Sequence, residues 1–472
     1  MEQNAGLHRP APWIPAVHQP PLSPLPPLPP GQDRHRLIAC EHCDALHVRT
    51  AMETGERAIC RRCGAELYRD STRAYRRLLP LVVTAVVLLL ISNMYPIVAM
   101  DLKGTRMETT LWGAIQVLYT DDMPLVALLV FATTLLLPLA ELLMMGFLLV
   151  PMARHRKPRA FHRIARAILL TRPWGMIEVF MIGVLVTLVK LSTVAQVLPG
   201  VALWSFGALV AVLAAILSFP PCDLWHHLAP PRCARDGQGA SRPPGYRVMS
   251  AHRPHHPTAT AQGLLACHAC ALLSPMALAG APCPRCGAVL HRRKPASMTR
   301  AWAFLLSAYL LYIPANLLPI MVTQSIFGTQ HDTILSGVVY LWLSGSHLLS
   351  LVVLIASVVV PLLKMMILTL LLLTVRRRST WRIREQTRLY ALVEVIGRWS
   401  MLDIFVVALL ASLVRAGALA TITPGAGALA FAAVVVLTML ASLSFDPRLL
   451  WDTFDSPPHS LDSSQADHAG TH

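Results

Sequence analysis

Eight stretches of this chain are each apolar enough to cross a hydrocarbon layer about 30 Å thick, which takes roughly 20 helical residues. They are 78–100, 124–150, 174–198 and 201–219 in the first half, and 302–322, 348–375, 399–419 and 425–445 in the second. Lipid offers no partner to a backbone N–H or C=O, so only helices or closed barrels satisfy such segments. Hydrophobic residues make up 54 % of the 472 and charged residues 14 %, against about 25 % charged in a water-soluble domain. A cytosolic enzyme, a disordered chain and a secreted disulfide scaffold are set aside on that ground. The expected fold is an all-α polytopic membrane protein.

The formal net charge of +16 has a positional explanation. One basic run holds Arg154, Arg156, Lys157, Arg159, Arg163, Arg166 and Arg172; another holds Arg376, Arg377, Arg378, Arg382, Arg384, Arg388 and Arg398. Basic loops beside spans stay on the cytoplasmic side, so the alternation predicts both termini and the 226–262 segment inside and four short loops outside. The runs also suit anionic headgroups. They lack interleaved aromatics, so no nucleic-acid partner is expected. No signal peptide is read in residues 1–36, which are proline-rich without an apolar core.

The two halves repeat at an offset near 223 residues. Cys60-Arg-Arg-Cys63-Gly64 matches Cys283-Pro-Arg-Cys286-Gly287, and Asn93-Met-Tyr-Pro96 matches Asn316-Leu-Leu-Pro319. Pro138-Leu-Ala-Glu141 matches Pro361-Leu-Leu-Lys364, and Trp174-Gly-Met-Ile-Glu178 matches Trp399-Ser-Met-Leu-Asp403. Leu217-Ser-Phe219 with Trp225 matches Leu443-Ser-Phe445 with Trp451. Four spans per half is an even number, which predicts two tandem repeats in parallel orientation about an axis along the membrane normal. The domain organisation follows: a proline-rich tail (1–36), a zinc ribbon (37–70), a four-span module (71–225), a linker (226–262), a second ribbon (263–294), a second four-span module (295–452) and a polar tail (453–472).

Eight of the ten cysteines form two sets: Cys40, Cys43, Cys60 and Cys63, then Cys267, Cys270, Cys283 and Cys286. Paired Cys-x2-Cys knuckles let four thiolates converge tetrahedrally, the arrangement of structural zinc. A ribbon of about 30 residues cannot bury a sufficient core, so the metal supplies its folding energy. The glycine after each second knuckle permits the tight turn. Two structural Zn²⁺ ions are the expected cofactors; rubredoxin-like iron uses similar knuckles. Disulfides are disfavoured on the reducing side of a membrane. Cys222 and Cys233 have no knuckle partners and read as free thiols.

Charges inside spans are costly, about 2.5–3.5 kcal/mol even on lenient scales, and read as functional by default. Glu141 and Lys364 lie deepest, each three residues after a proline that kinks its helix and releases a carbonyl. Facing halves would let them pair. Glu178 and Asp403 lie one turn inside the boundary, near Arg172 and Arg398, where snorkelling is cheap. Lys190 and Arg415 reach the outer headgroups. The amides of Asn93 and Asn316 are placed to bond carbonyls released by Pro96 and Pro319. No phosphate-binding loop, zincin helix or nucleophile elbow stands out, so no enzyme is expected.

Together the paired ribbons, the two four-span modules, the Asn-x-x-Pro segments and the terminal Ser444-Phe-Asp-Pro-Arg-Leu-Leu-Trp451 resemble the paraquat-inducible protein A family of bacterial inner-membrane proteins, over residues 37–452. The first half departs at that last motif, reading Ser218-Phe-Pro-Pro-Cys-Asp-Leu-Trp225. The resemblance implies an inner-membrane subunit that passes phospholipid to or from a periplasmic MCE-domain tunnel. Glu141, Glu178, Lys364 and Asp403 are then the candidates for ion-coupled movement. A membrane redox or stress-response protein with iron in the cysteine sites, and a membrane adaptor, are the competing classes.

Overall fold

A computed structural model describes residues 37–49, 57–69, 75–102, 105–121, 123–154, 160–192, 196–217, 257–325, 328–345, 347–379, 381–397, 405–406 and 420–455. The chain is mostly helical. The first half begins with two short hairpins, β1 (Leu37–Ala39) with β2 (Leu46–Val48) and β3 (Arg57–Ile59) with β4 (Glu66–Arg69), that present the first cysteine set. Helix α1 (Tyr75–Met94) follows. Its inner stripe, Leu78, Val82, Ala85 and Leu89, is buried, while Val83, Val87, Leu90 and Met94 are exposed. An apolar stripe on the outer face as well as the inner one marks a helix that packs against lipid.

Sequence periodicity runs the first span to residue 100, but α1 stops at Met94. Pro96 carries no N–H to continue the ladder, and residues before a proline are driven out of the helical region. The chain turns instead into β5 (Val98–Leu102) and β6 (Thr105–Thr109), then α2 (Leu111–Thr120), which Thr110 caps through Gly113 N at 3.1 Å. Next come α3 (Pro124–Phe131), a π-helical turn over Ala132–Leu136, and α4 (Leu137–Ala153). Amphipathic α5 (Phe161–Thr171) leads to α6 (Ile177–Ser192), β7 (Gln196–Pro199) and α7 (Val201–Leu217).

The second half repeats the order. Hairpin β8 (Leu264–Ala266) with β9 (Leu273–Pro275) carries the second cysteine set, followed by α8 (Ser297–Leu317), β10 (Met321–Ser325), β11 (Gly328–Asp332) and α9 (Ile334–Leu343). Then come α10 (His347–Leu354), a second π-helical turn (Ile355–Val359), α11 (Val360–Arg376) and α12 (Ile383–Ile396). After β12 (Ala420–Pro424), α13 (Ala426–Ser444) and α14 (Arg448–Asp455) complete the described chain.

The expectation of an all-helical protein is corrected by two three-stranded antiparallel sheets, ordered β6-β5-β7 and β11-β10-β12. Their registers correspond: Val98 faces Thr109 and Pro199, and Met321 faces Asp332 and Pro424. Residues 98–100, 196–198 and 321–322, assigned to spans by hydropathy, are strands. Hydropathy sums polarity without period, and two or three apolar strand residues close to a helix extend the apparent span. Four helical stretches, Pro124–Ala153, Phe161–Leu188, Ser350–Arg376 and Ala426–Ser444, are long and apolar enough to cross a membrane; Leu78–Met94, Val201–Leu217 and Ile334–Leu343 are shorter apolar helices.

The halves meet where Phe180 of α6 packs edge-on against Phe405, centroids 5.5 Å apart, and tilted against Phe206 of α7 at 5.4 Å. Each sheet is locked to the helix after it by a glycine. A Cβ on Gly200 would sit 2.1 Å from Pro96 O, and one on Gly425 2.2 Å from Pro319 O. The obstructing atoms are backbone and cannot swing aside. Gly200→Ala and Gly425→Ala are each expected to cost about 1–3 kcal/mol through overpacking, read as a fall in the detergent melting temperature. Gly337→Ala, which meets nothing within 4 Å inside α9, is the control and should hold or raise it, since alanine is the better helix former.

Candidate functional site

All four cysteine knuckles share one backbone geometry. The N–H four residues on returns to the first cysteine's carbonyl: Asp44 to Cys40 (2.9 Å), Gly64 to Cys60 (2.8 Å), Ala271 to Cys267 (2.9 Å) and Gly287 to Cys283 (2.8 Å). That returning residue has φ of +61°, +83°, +54° and +68° respectively. The left-handed turn aims both thiols of a knuckle to one side. Glycine takes this conformation without strain; Asp44 and Ala271 hold it because the knuckle imposes it.

The thiols converge. Cys40–Cys63 and Cys43–Cys60 are 3.5 Å apart, Cys267–Cys286 3.4 Å and Cys270–Cys283 3.7 Å, all buried. Four sulfurs held tetrahedrally at about 2.3 Å from Zn²⁺ would be about 3.8 Å from one another. The donor set therefore fits a four-thiolate ion such as zinc. Sulfhydryl hydrogen bonds from its neighbours pull the Cys60 thiol down, while bonds within the same set push Cys43 up. Without a cation such a cluster holds a thiolate only by keeping its neighbours protonated.

A polar node joins the two cysteine units to α14, the last described helix. Arg293 donates to Asp452 and lies 3.5 Å from Asp44 of the first unit. Thr260 Oγ1 meets the same Asp44 carboxylate at 2.5 Å. Arg62 stacks over Trp451 at 4.5 Å, and Trp451 Nε1 donates to Thr387 of α12 at 3.1 Å. Asp446 accepts from Arg448, and Lys294 N donates to it at 3.1 Å. Burial works against its ionisation, but Arg448 outweighs this and holds the carboxyl below its ordinary value. Arg448 also reaches His268 at 3.3 Å, whose imidazole burial pushes down to about 4. The sequence showed this node only as the Ser-Phe-Asp-Pro-Arg-Leu-Leu-Trp motif, without its partners.

The deep charges occupy equivalent positions on α4 and α11, each after a π-helical turn. There the N–H of Leu137 reaches Ala132 O and that of Val360 reaches Ile355 O, skipping a residue just ahead of Pro138 and Pro361. Hydroxyls cover nearby carbonyls: Thr133 to Leu129 O (2.8 Å) and Ser357 to Val353 O (2.7 Å). The kink expected from the prolines is thus a π-bulge. Asn93 and Asn316 bond carbonyls four residues earlier, Leu89 O at 2.7 Å and Tyr312 O at 2.8 Å, which are not the carbonyls their following prolines leave unbonded.

Glu141 and Lys364 do not meet. Glu141 lines a cavity of about 20 Å³, room for one water molecule, together with Pro138, Arg172, Gly175, Ile177 and Glu178. Arg172 also donates to Leu217 O. Lys364 is 2 % exposed, and its Nζ has no hydrogen-bond partner among the described residues. A Cβ on Gly397 would lie 2.9 Å from that Nζ. In the repeat that aligns Trp174 with Trp399, Gly397 corresponds to Arg172. Where the first half has an acid, the matching position brings a guanidinium; where the second has a lysine, it is bare. Asp403, Arg398, Arg415, Cys222 and Cys233 lie outside the described residues, as does the side chain of Lys190. A separate apolar groove of about 1020 Å³ between α2 and α3 is lined by Trp112, Tyr119, Leu125, Leu128 and Phe131.

The Paraquat-inducible protein A family model matches this chain twice, over residues 75–229 and 298–455. The chain is 34 % identical over 428 residues to the Intermembrane transport protein PqiA of Escherichia coli K12, covering 89 % of this chain and 97 % of the relative. It is 28 % identical over 425 residues to the Probable intermembrane transport protein of Haemophilus influenzae, with the same coverages. To the Lipophilic envelope-spanning tunnel protein A of Escherichia coli K12 it is 29 % identical over 423 residues, 88 % of this chain and 91 % of the relative. No solved structure matches.

Metal analysis of the purified chain should find about two zinc ions and no visible chromophore, with Cys63→Ser reducing the count to one. Ala271→Gly should stabilise the second unit by about 1 kcal/mol, read as slower zinc loss to a chelator; no change would mean that the turn is relaxed.

Proposed function

The chain belongs to the paraquat-inducible protein A family, and on that footing we propose that it is the inner-membrane subunit of an intermembrane phospholipid transport system. It makes and breaks no covalent bond. Lipid passes to or from a periplasmic tunnel built by an MCE-domain partner. The observation that carries this reading is similarity along nearly the whole chain to relatives named as transport and envelope-spanning tunnel proteins.

Two tandem four-span modules stand in parallel orientation, each preceded by a zinc ribbon, with both termini in the cytoplasm. The repeated element order and the matching sheet registers support the tandem arrangement. The domain limits are 37–70 and 263–294 for the ribbons, and 71–225 and 295–452 for the modules. The sheets then face the periplasm. The groove between α2 and α3 opens beside them, where its aromatic and aliphatic lining suits acyl chains.

Movement is coupled to ions through Glu141, Glu178, Lys364 and Asp403, with Asn93 and Asn316 bracing the helix ends. Support comes from depth and environment: an amine enclosed in apolar helices is retained only where it works or pairs. The π-turns supply bistable points, since a single-residue register shift in a helix moves everything beyond it. Zinc at the two four-cysteine sites fastens the cytosolic side, so that helix motion is referred to a rigid base.

Reconstitution with the MCE partner tests both levels. Wild-type protein should co-purify with phospholipid and transfer it between vesicles. Lys364→Met should keep its melting temperature and partner binding yet lose transfer about tenfold or more. Gly397→Ala, which pushes the ammonium aside, should lose less. Unfolding of Lys364→Met would assign the lysine to structure, and undiminished transfer would remove it from the mechanism.

A further inference from the structure

The helices that link successive spans at the cysteine-unit end carry a stripe of the same make-up in both halves, exposed except for the half-buried Arg166, whose Nε donates to His162 O at 3.4 Å. On α5, Arg163, Arg166 and Leu170 stand at i, i+3 and i+7; on α12, Arg384, Arg388, Leu392 and Val395 stand at i, i+4, i+8 and i+11. Such spacings line one helix face. Leu170 is 75 % exposed and Val395 55 %. The opposite faces are buried, by Phe161, Ala165 and Ile168 on α5 and by Ile383, Tyr390 and Val393 on α12. The stripes therefore face outward.

Both stripes run the same way, cationic at the start of the helix and aliphatic toward its end. The preceding helix ends add Arg154 in one half and Arg376, Arg377 and Arg378 in the other, all exposed. Of the exposed acids on α12, Glu385 is engaged by Arg382 at 3.2 Å, and Glu394 lies off the stripe near its aliphatic end. Helix α5 has no acid. Among the described residues, no carboxylate comes within ion-pair distance of Arg163, Arg166, Arg384 or Arg388.

A solvated helix keeps charge along its outer face, and a lipid-embedded one keeps none. A stripe that changes from guanidinium to aliphatic over seven residues, about 10 Å, matches the passage from headgroup to acyl chain at a bilayer boundary. Guanidinium forks fit phosphate oxygens in pairs. We infer that each stripe seats one anionic phospholipid of the leaflet on the cysteine-unit side, its phosphate on the arginines and its first acyl segments over Leu170 or over Leu392 and Val395. This rests on the membrane placement proposed above but not on transport, which the following test does not measure.

The full chain, delipidated in detergent, is offered equimolar phosphatidylglycerol and phosphatidylcholine in mixed micelles, and retained lipid is counted by native mass spectrometry. Wild-type protein should hold one phosphatidylglycerol per stripe, preferred about tenfold over phosphatidylcholine. R163Q/R166Q and R384Q/R388Q should each remove one, and the combined variant both. Should a combined variant lose its zinc or its melting transition, Leu170→Glu, which keeps every arginine, serves instead and should remove the first lipid. Equal retention of the two lipids by wild-type protein, or undiminished phosphatidylglycerol on a folded variant, overturns the proposal.

Discussion

An ionisable side chain inside an apolar helix is costly unless its surroundings answer it, and at one repeated position this protein surrounds an acid and an amine differently. Glu141 shares a one-water cavity with Arg172 and Glu178. Lys364 is enclosed where a side chain on Gly397 would collide with its ammonium. The residues that accompany the charges change with them: guanidinium beside acid, hydrogen beside amine. Both follow a proline and a π-turn, so each charge sits just beyond a one-residue change of helical register.

Placement of the cysteine units gives those helices a fixed end. The first unit packs against the second half, through Arg62 on Trp451 and the His42–Tyr390 ring contact at 6.2 Å. The second shares a buried cluster with Phe161 and Ile168 of the first half, and Arg293 ties both units to α14. A motif of about 30 residues has too little core to stand alone. Here the two lean on each other and on the opposite half.

Much of this was legible in sequence because the signals are local or repeated. Cysteine spacing alone predicts four converging sulfurs, since two knuckles leave few other geometries. Duplication picks out Glu141 with Lys364 and Pro96 with Pro319. Helix ends were misplaced where the first residues of β5 and β10, Val98 to Met100 and Met321 to Val322, share the apolar character of the spans they follow. The π-turns could not be read, because nothing in Ala132–Leu136 differs from an ordinary apolar helix until Pro138 is reached. Gly397 was legible only in retrospect, through alignment with Arg172; its meaning lies in a distance, not a motif. The Glu141–Lys364 pairing failed because sequence equivalence fixes only matching places on α4 and α11 and says nothing of contact: Glu141 turns to a cavity shared with Arg172, and the Lys364 ammonium has no partner among the described residues.

The most direct measurement is a double-mutant cycle at positions 141 and 172, read as melting temperature and folded yield. Glu141→Lys alone sets an ammonium beside Arg172 and should destabilise the protein. Arg172→Gly alone should also do so, by leaving the acid without its cation. Combined, they rebuild the second half's arrangement in the first and should recover at least part of the loss, a favourable coupling between neighbouring sites. Simple addition of the two penalties would contradict the matching of each deep charge to its neighbour.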